Sequence, residues 1–248
     1  MRVSLEPGWV LHTRPYRETS MLVEAFTRGH GRIGLVARGA RGAKSRLRGL
    51  LRALQPLMIS WVGGGELYTL TGAEPQGIPP VIPATCLGHT FYLHELLLRL
   101  LHRNDPHPGL FDAYAEALYR LSDASSSTES TLRVFENVLL YELGYGLVLD
   151  HDVGEGHPID AEQSYTYCLE HGPVLGVAEE PGIAVSGAAL QALASGEVRE
   201  REHLREIKQL MRATLSLYLG ERPLKSRELF YDSGIRGPEN EIEEGPKG

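Results

Sequence analysis

Arg28, Arg32, Arg38, Arg41, Lys44, Arg46, Arg48 and Arg52 put eight fixed positive charges into one stretch of chain that contains no Asp or Glu. Cationic side chains with no local carboxylate suit contact with the phosphates of a polyanion. The rest of the chain sharpens the contrast. Residues 1–80 carry eleven Lys/Arg against five Asp/Glu, whereas residues 81–248 carry fourteen against twenty-seven, within a net charge of −7. A basic module thus sits on an acidic body, and binding answers to the field within about 10 Å rather than to the sum. The lesser reading of the stretch is a solvated basic loop.

Other chemistries fail at particular residues. Gly29-His30-Gly31-Arg32-Ile33-Gly34 spells a dinucleotide fingerprint, yet a β-type run, Leu35-Val36, follows where a helix must open, and no acid appears before Glu66, so a hairpin turn is the better reading. Gly42-Ala43-Lys44-Ser45 resembles the end of a phosphate-binding loop, but Ala43 stands where glycine lets the backbone wrap phosphates. His94-Glu95 begins a zinc-protease helix motif whose second histidine position is Leu98. His151, His157, Cys168 and His171 form the one metal-like set, with irregular gaps that match no common zinc module. No catalytic arrangement is identifiable, and the expectation is a protein that is not an enzyme and has no cofactor and no functional metal.

Arg133 admits two readings. It lies with Leu132, Phe135, Val138 and Leu139 on a helical stripe, so it could receive a partner's carboxylate beside an apolar groove, or be a surface arginine next to ordinary core packing.

The elements that must position these residues are of two kinds. Trp9–Thr13, Ser20–Thr27, Arg32–Val36, Leu57–Val62 and Glu66–Thr71 read as short strands parted by glycine, which predicts a small barrel. Gly39 to Ser45 reads as a mobile basic loop. After a Pro-rich linker at 75–83, helices are expected at Thr85–Arg103, Leu110–Leu121, from the serines 125–127 to Leu143, at Ser186–Ala194 and at Glu200–Leu219. Residues 144–180 are glycine-rich, with β-type runs Ser164–Leu169 and Val174–Ala178 that predict a hairpin-bearing insertion. The end of the chain, with Asp232 and the run Glu239–Glu244, reads as a solvated tail. With Cys86 and Cys168 alone, no signal peptide and no span of about 20 apolar residues, a cytoplasmic, nucleoid-associated protein without a membrane role is expected.

Val10-Leu11-His12-Thr13-Arg14-Pro15-Tyr16-Arg17-Glu18-Thr19-Ser20, then Phe26-Thr27, Gly31-Arg32 and Val36-Ala37-Arg38-Gly39-Ala40-Arg41, resemble the N-terminal domain of the bacterial recombination mediator family RecO. Leu54-Gln55-Pro56 and Gly65-Glu66-Leu67 with Ala73-Glu74 resemble its later strands. Leu132-Arg133-Val134-Phe135-Glu136, Leu143-Gly144-Tyr145-Gly146 and Leu219-Gly220 with Pro223 to Phe230 are similar to its helical body. The likeness implies an α+β protein. An OB-fold barrel at 1–78 would precede a helical domain at 84–143 and 181–235, with an insertion at 144–180, while composition predicts a disordered tail at 236–248. It further implies binding of single- and double-stranded DNA, strand annealing, and help in loading the recombinase RecA onto DNA coated by single-strand-binding protein. Its implied partners are RecR and the acidic C-terminal tail of the single-strand-binding protein, with RecA served indirectly. Some family members carry a four-cysteine zinc site in the insertion, where this chain has Cys168 alone.

Annealing requires phosphate repulsion to be screened while base edges stay free, which loop arginines can do. The expected phosphate contacts are Arg14, Arg17, Arg38, Arg41, Lys44, Arg46 and Arg48. Tyr16 is a candidate stacking platform, and Trp61 reads better as core. Family resemblance and the apolar stripe together assign Arg133, Phe135 and Leu139 to the acidic tail. The rival reading, an RNA-binding OB protein, wants more exposed aromatics than a 7% aromatic content offers.

Overall fold

The computed structural model describes residues 1–178, 180–220 and 222–226. The expected tail at 236–248, with Asp232 and Glu239–Glu244, lies outside the described residues, as does the end of the expected helical domain at 227–235.

Five strands close a barrel in the order β1-β2-β3-β5-β4, with β1 spanning Arg2–Tyr16, β2 Ser20–Thr27, β3 Gly31–Ala37, β4 Pro56–Val62 and β5 Leu67–Pro75. All pairings are antiparallel except β3 with β5. This is the OB-type barrel that the strand pattern and the resemblance imply. β1 serves two partners because it bends: its register shifts between Val3 and Glu6 against β4 and between Val10 and His12 against β2. Alternation sends Val10, Val23, Ala25, Ile33, Leu35, Leu57, Ile59 and Trp61 inward to one core. The hairpin reading of Gly29-His30-Gly31 holds, since these residues join β2 to β3. Gly31 has φ +66°, and a Cβ there would lie 1.8 Å from the Asp105 carbonyl oxygen.

Two compact units divide the chain, the first being Met1–Pro83 with Leu93–Ser122 and the second Ala84–Tyr92 with the described residues from Asp123 onward. The boundary falls inside α2 (Leu87–Leu100), and α3 (Pro108–Ser122) belongs with the barrel rather than with the other helices. Aromatic packing explains this. Trp9 and Phe26, on the outer face of the barrel, meet Tyr114 and Phe111 of α3 edge-on at centroid distances of 5.8 and 5.5 Å.

In the second unit, α4 (Thr128–Glu142) starts at Ser127, whose side chain accepts from the Ser130 N–H, and stops before Gly144 at φ +82°. α5 (Gly187–Ser195) and α6 (Arg201–Leu219) pack beside it, with Leu204, Ile207, Leu210, Met211 and Leu215 of α6 buried. The insertion is a three-stranded sheet in the order β7-β6-β8, from Ser164–Cys168 (β6), Gly172–Leu175 (β7) and Ile183–Ser186 (β8). β8 extends it beyond residue 180; four residues are too few for periodicity to reveal.

Candidate nucleic-acid interface

The basic stretch links β3 to β4 and is anchored at several points along its length. Ala40 and Leu51 are buried in the barrel core, Leu47 and Leu50 of the short α1 (Leu47–Leu50) pack against it, and the Arg41 N–H donates to the Thr19 carbonyl at 2.9 Å. The apolar residues spaced among the arginines are the anchors. Between them Arg38, Arg41, Lys44, Arg46, Arg48 and Arg52 are all exposed, and the β1–β2 hairpin adds exposed Arg14 and Arg17.

The two segments are joined by one side chain. Arg41 Nη1 donates to the carbonyls of Arg17 and Glu18, each at 3.2 Å. Thr13, Arg14, Pro15, Met21, Arg41 and Arg48 surround a cavity of about 290 Å³. Half-buried Tyr16 lies under the Arg17 guanidinium, 5.2 Å from the ring centre. The structure therefore brings Arg14, Arg17, Arg41 and Arg48 into one neighbourhood.

Two members of the charge run do something else. Arg28 donates to both oxygens of the Asp112 carboxylate at 3.1 and 2.9 Å, and this hydrogen bond holds the carboxyl below its ordinary range. Arg32 pairs with Glu24 at 3.2 Å and donates to the carbonyls of Leu98 and Leu101, while Arg103 pairs with Glu24 from the other side. Both arginines bind elements of the first unit together.

Trp61 is fully buried and stacks on no ligand from there, so it is core. Among the described residues no group of three or more His, Cys, Asp or Glu could hold a metal ion. His151 pairs with Asp150, His157 with Glu155, and Cys168 is buried in β6, so the set does not converge on a zinc.

The tail site expected at Arg133, Phe135 and Leu139 needs correction. Phe135 and Leu139 are interior, and Arg133 is buried with a carboxylate already on it, Glu136 Oε2 at 2.8 Å. The stripe taken for a groove wall is the face by which α4 packs into its own unit, since an apolar helical stripe is buried wherever the fold supplies a neighbour. The Tyr92 hydroxyl donates to Glu136 at 2.5 Å, and burial raises that carboxyl despite Arg133. Burial, followed by the Arg133 charge, lowers the nearby His89 imidazole to about 4.

Family comparison accounts for nearly the whole chain. Residues 1–78 match the profile described as Recombination protein O N terminal, and residues 85–228 match that described as Recombination protein O C terminal. The chain belongs to the RecO family. Its similarity to a "DNA repair protein RecO" of Nitrosococcus oceani is 48% identity over 247 residues, 99% of this chain and 100% of that one. A protein of the same name from Alkalilimnicola ehrlichii is 50% identical over 232 residues, covering 92% and 91%. A third, from Coxiella burnetii, is 44% identical over 230 residues, covering 93% and 99%. Among the described residues no helix is long and apolar enough to cross a membrane.

Proposed function

We propose that this RecO-family chain is a DNA repair and recombination mediator of the bacterial cytoplasm, binding single and double strands through its barrel, rather than an enzyme. The observation that carries the reading is the set of exposed cations on the β3–β4 connection and the β1–β2 hairpin, whose charges are not spent on carboxylates among the described residues as those of Arg28 and Arg32 are. No recognition helix accompanies them: α1 has only four residues. Arginines presented this way contact phosphate and leave base edges free, so binding is insensitive to sequence. Two strands whose phosphates are screened on one surface can pair, which is the physical requirement for annealing.

The finer steps rest on the family resemblance: cooperation with RecR, contact with the acidic tail of the single-strand-binding protein, and delivery of strands to RecA. An acidic tail is attracted by the same cationic barrel, so tail and strand would compete there.

The test is a salt titration of oligonucleotide affinity beside an annealing assay, on DNA and on RNA strands. Counterion release gives a slope of about −0.7 per phosphate contact on single strands, so four to six contacts give roughly −3 to −4. Replacing Arg38, Arg41 and Lys44 by alanine should flatten the slope by about 2 and slow annealing. An unchanged slope and rate would put DNA elsewhere on the protein, and faster annealing of RNA than of DNA would favour an RNA-binding role.

A further inference from the structure

The cavity beside Arg41 differs from the rest of the basic face in being concave, partly apolar and partly fixed. Pro15 and Met21 are cross-strand partners in the β1–β2 ladder, so their side chains lie on one face of that hairpin. Thr13 and Val23, also paired, share that face, and Val23 is in the barrel core. The cavity therefore continues the core side of the hairpin beyond the packed interior, and its wall is apolar for that reason. Arg41 and Arg48 line it from the β3–β4 connection, while Arg14, between Thr13 and Pro15, borders it from the strand and alternates to the other face of the hairpin.

Arg41 is set in place before any ligand arrives. Its backbone is tied to Thr19, its neighbour Ala40 is in the core, and its Nη1 is occupied by two carbonyls. A guanidinium carries five N–H groups, and the two on Nη1 are those spent. The Nε–Nη2 edge remains, and its two parallel N–H groups match two oxygens of a phosphate. Lysine could supply the charge but not the fork.

We propose that this cavity seats one nucleotide of a single strand, with its phosphate on Arg41 and Arg48 and its deoxyribose against Pro15 and Met21. The proposal rests on the nucleic-acid reading above and adds to it a discrete subsite. A volume of about 290 Å³ suits one small ligand and no more. A duplex presents phosphates on a convex rod, so it engages the exposed cations without placing a sugar in the cavity. The site thus favours single strands over duplex where the surrounding charges do not discriminate.

Met21 reports on the cavity directly, because Met1, Met21, Met58 and Met211 are the only methionines. In protein labelled with carbon-13 at the methionine methyls, a saturating short oligo(dT) should move the Met21 resonance and leave Met58 and Met211 in place. Thymidine monophosphate should move it too, and thymidine, lacking the phosphate, should not. Arg41→Lys keeps the charge and loses the fork, so it should abolish the Met21 shift and weaken single-strand binding about tenfold while duplex affinity holds. If oligo(dT) binds, by fluorescence anisotropy, and Met21 does not move, the cavity is no subsite although the nucleic-acid reading stands. A wild-type response from Arg41→Lys, or an equal shift from thymidine, also overturns it. Absence of any strand binding removes both readings together.

Discussion

Arg133 and Glu136 stand one turn apart on α4, their charged groups 2.8 Å from one another and both withdrawn from water. Helical spacing of i and i+3 brings the two side chains together, and packing of the apolar stripe carries both inside. Lys208 of α6 and Glu129 of α4 form a second, longer pair at 3.5 Å in the same unit. Removing one member of a buried pair strands the other, whereas replacing both with apolar groups need not destabilise.

Arg133→Met should therefore cost about 3–5 kcal/mol in urea unfolding, and Arg133→Met with Glu136→Leu should recover most of it. The pH dependence has a definite sign. A carboxyl whose folded pKa is raised stabilises the protein below its unfolded value and loses that contribution as pH rises through the folded one. Arg133 opposes the rise at Glu136 most, ahead of the Tyr92 hydrogen bond and Lys208. The single variant's deficit should grow with pH, and a deficit constant from acid to neutral pH would mean the pair is not coupled as described. Arg133→Glu would set two carboxylates side by side, so that variant tests folding before it tests any partner.

Arg32 offers a second prediction, because it shares the charge run with Arg46 and Arg48 but not their surroundings. Arg32→Ala should lower the thermal midpoint by several degrees, since it leaves Glu24 with Arg103 alone and frees two carbonyls, and should leave the salt slope of DNA binding unaltered. Arg46→Ala should do the reverse. A lower slope for Arg32→Ala would place phosphate at a residue that the structure commits to holding β3 against α2.

His94 supplies a pH prediction for the first unit. It is buried, its Nε2 lies 2.6 Å from the Tyr114 hydroxyl, and desolvation lowers its pKa from 6.5 to about 4. A base with a depressed folded pKa stays neutral while the unfolded chain takes up a proton, so stability falls as pH drops from 6.5 towards 4 and is intact above that window. The loss at the acid end is on the order of 3 kcal/mol for this group. His94→Gln keeps a hydrogen-bonding group and does not titrate. Its unfolding free energy should depend less steeply on pH across the window than the wild type's, and parallel profiles would show that His94 is not the group responsible.

The barrel was legible because strands parted by glycine leave a period of two, and β2 matches its expected limits at Ser20 and Thr27. The caps at Ser127 and Gly144 were legible because they act locally. β1 reads too short at its start because the bulge between Val3 and Glu6 interrupts the alternation before Trp9. The place of α3 depends on Trp9 and Phe26 meeting Tyr114 and Phe111, a pairing of residues far apart in the chain that no local pattern records. At the interface, the cations were legible as a group, but not which of them were spent, because Asp112 and Glu24 lie outside the run. The burial of Arg133 did leave a trace: an acid three positions on, across an apolar stripe.

The insertion carries the last prediction. Asp152 is buried, with Oδ1 accepting from the Gly154 and Leu175 N–H groups at 3.2 and 3.1 Å and Oδ2 from that of Glu155 at 2.8 Å. One carboxylate thereby closes the turn through Gly154 and ties it to the end of β7, a role that needs no metal. The backbone bonds depress its pKa, the Glu155 contact most. A depressed carboxyl contributes stability above its unfolded pKa and loses it as pH falls through the folded value. Asp152→Asn retains one acceptor and turns the other into a donor facing an N–H, so the turn should open while the α4–α6 packing persists. Hydrogen exchange should then quicken at Gly154, Glu155 and Leu175 and stay slow in α6, and the thermal midpoint should drop by several degrees. Unchanged protection at those three amides would show that the turn is held by its backbone bonds, Asp152 N–H to His157 O and Val153 N–H to Pro173 O, without the side chain.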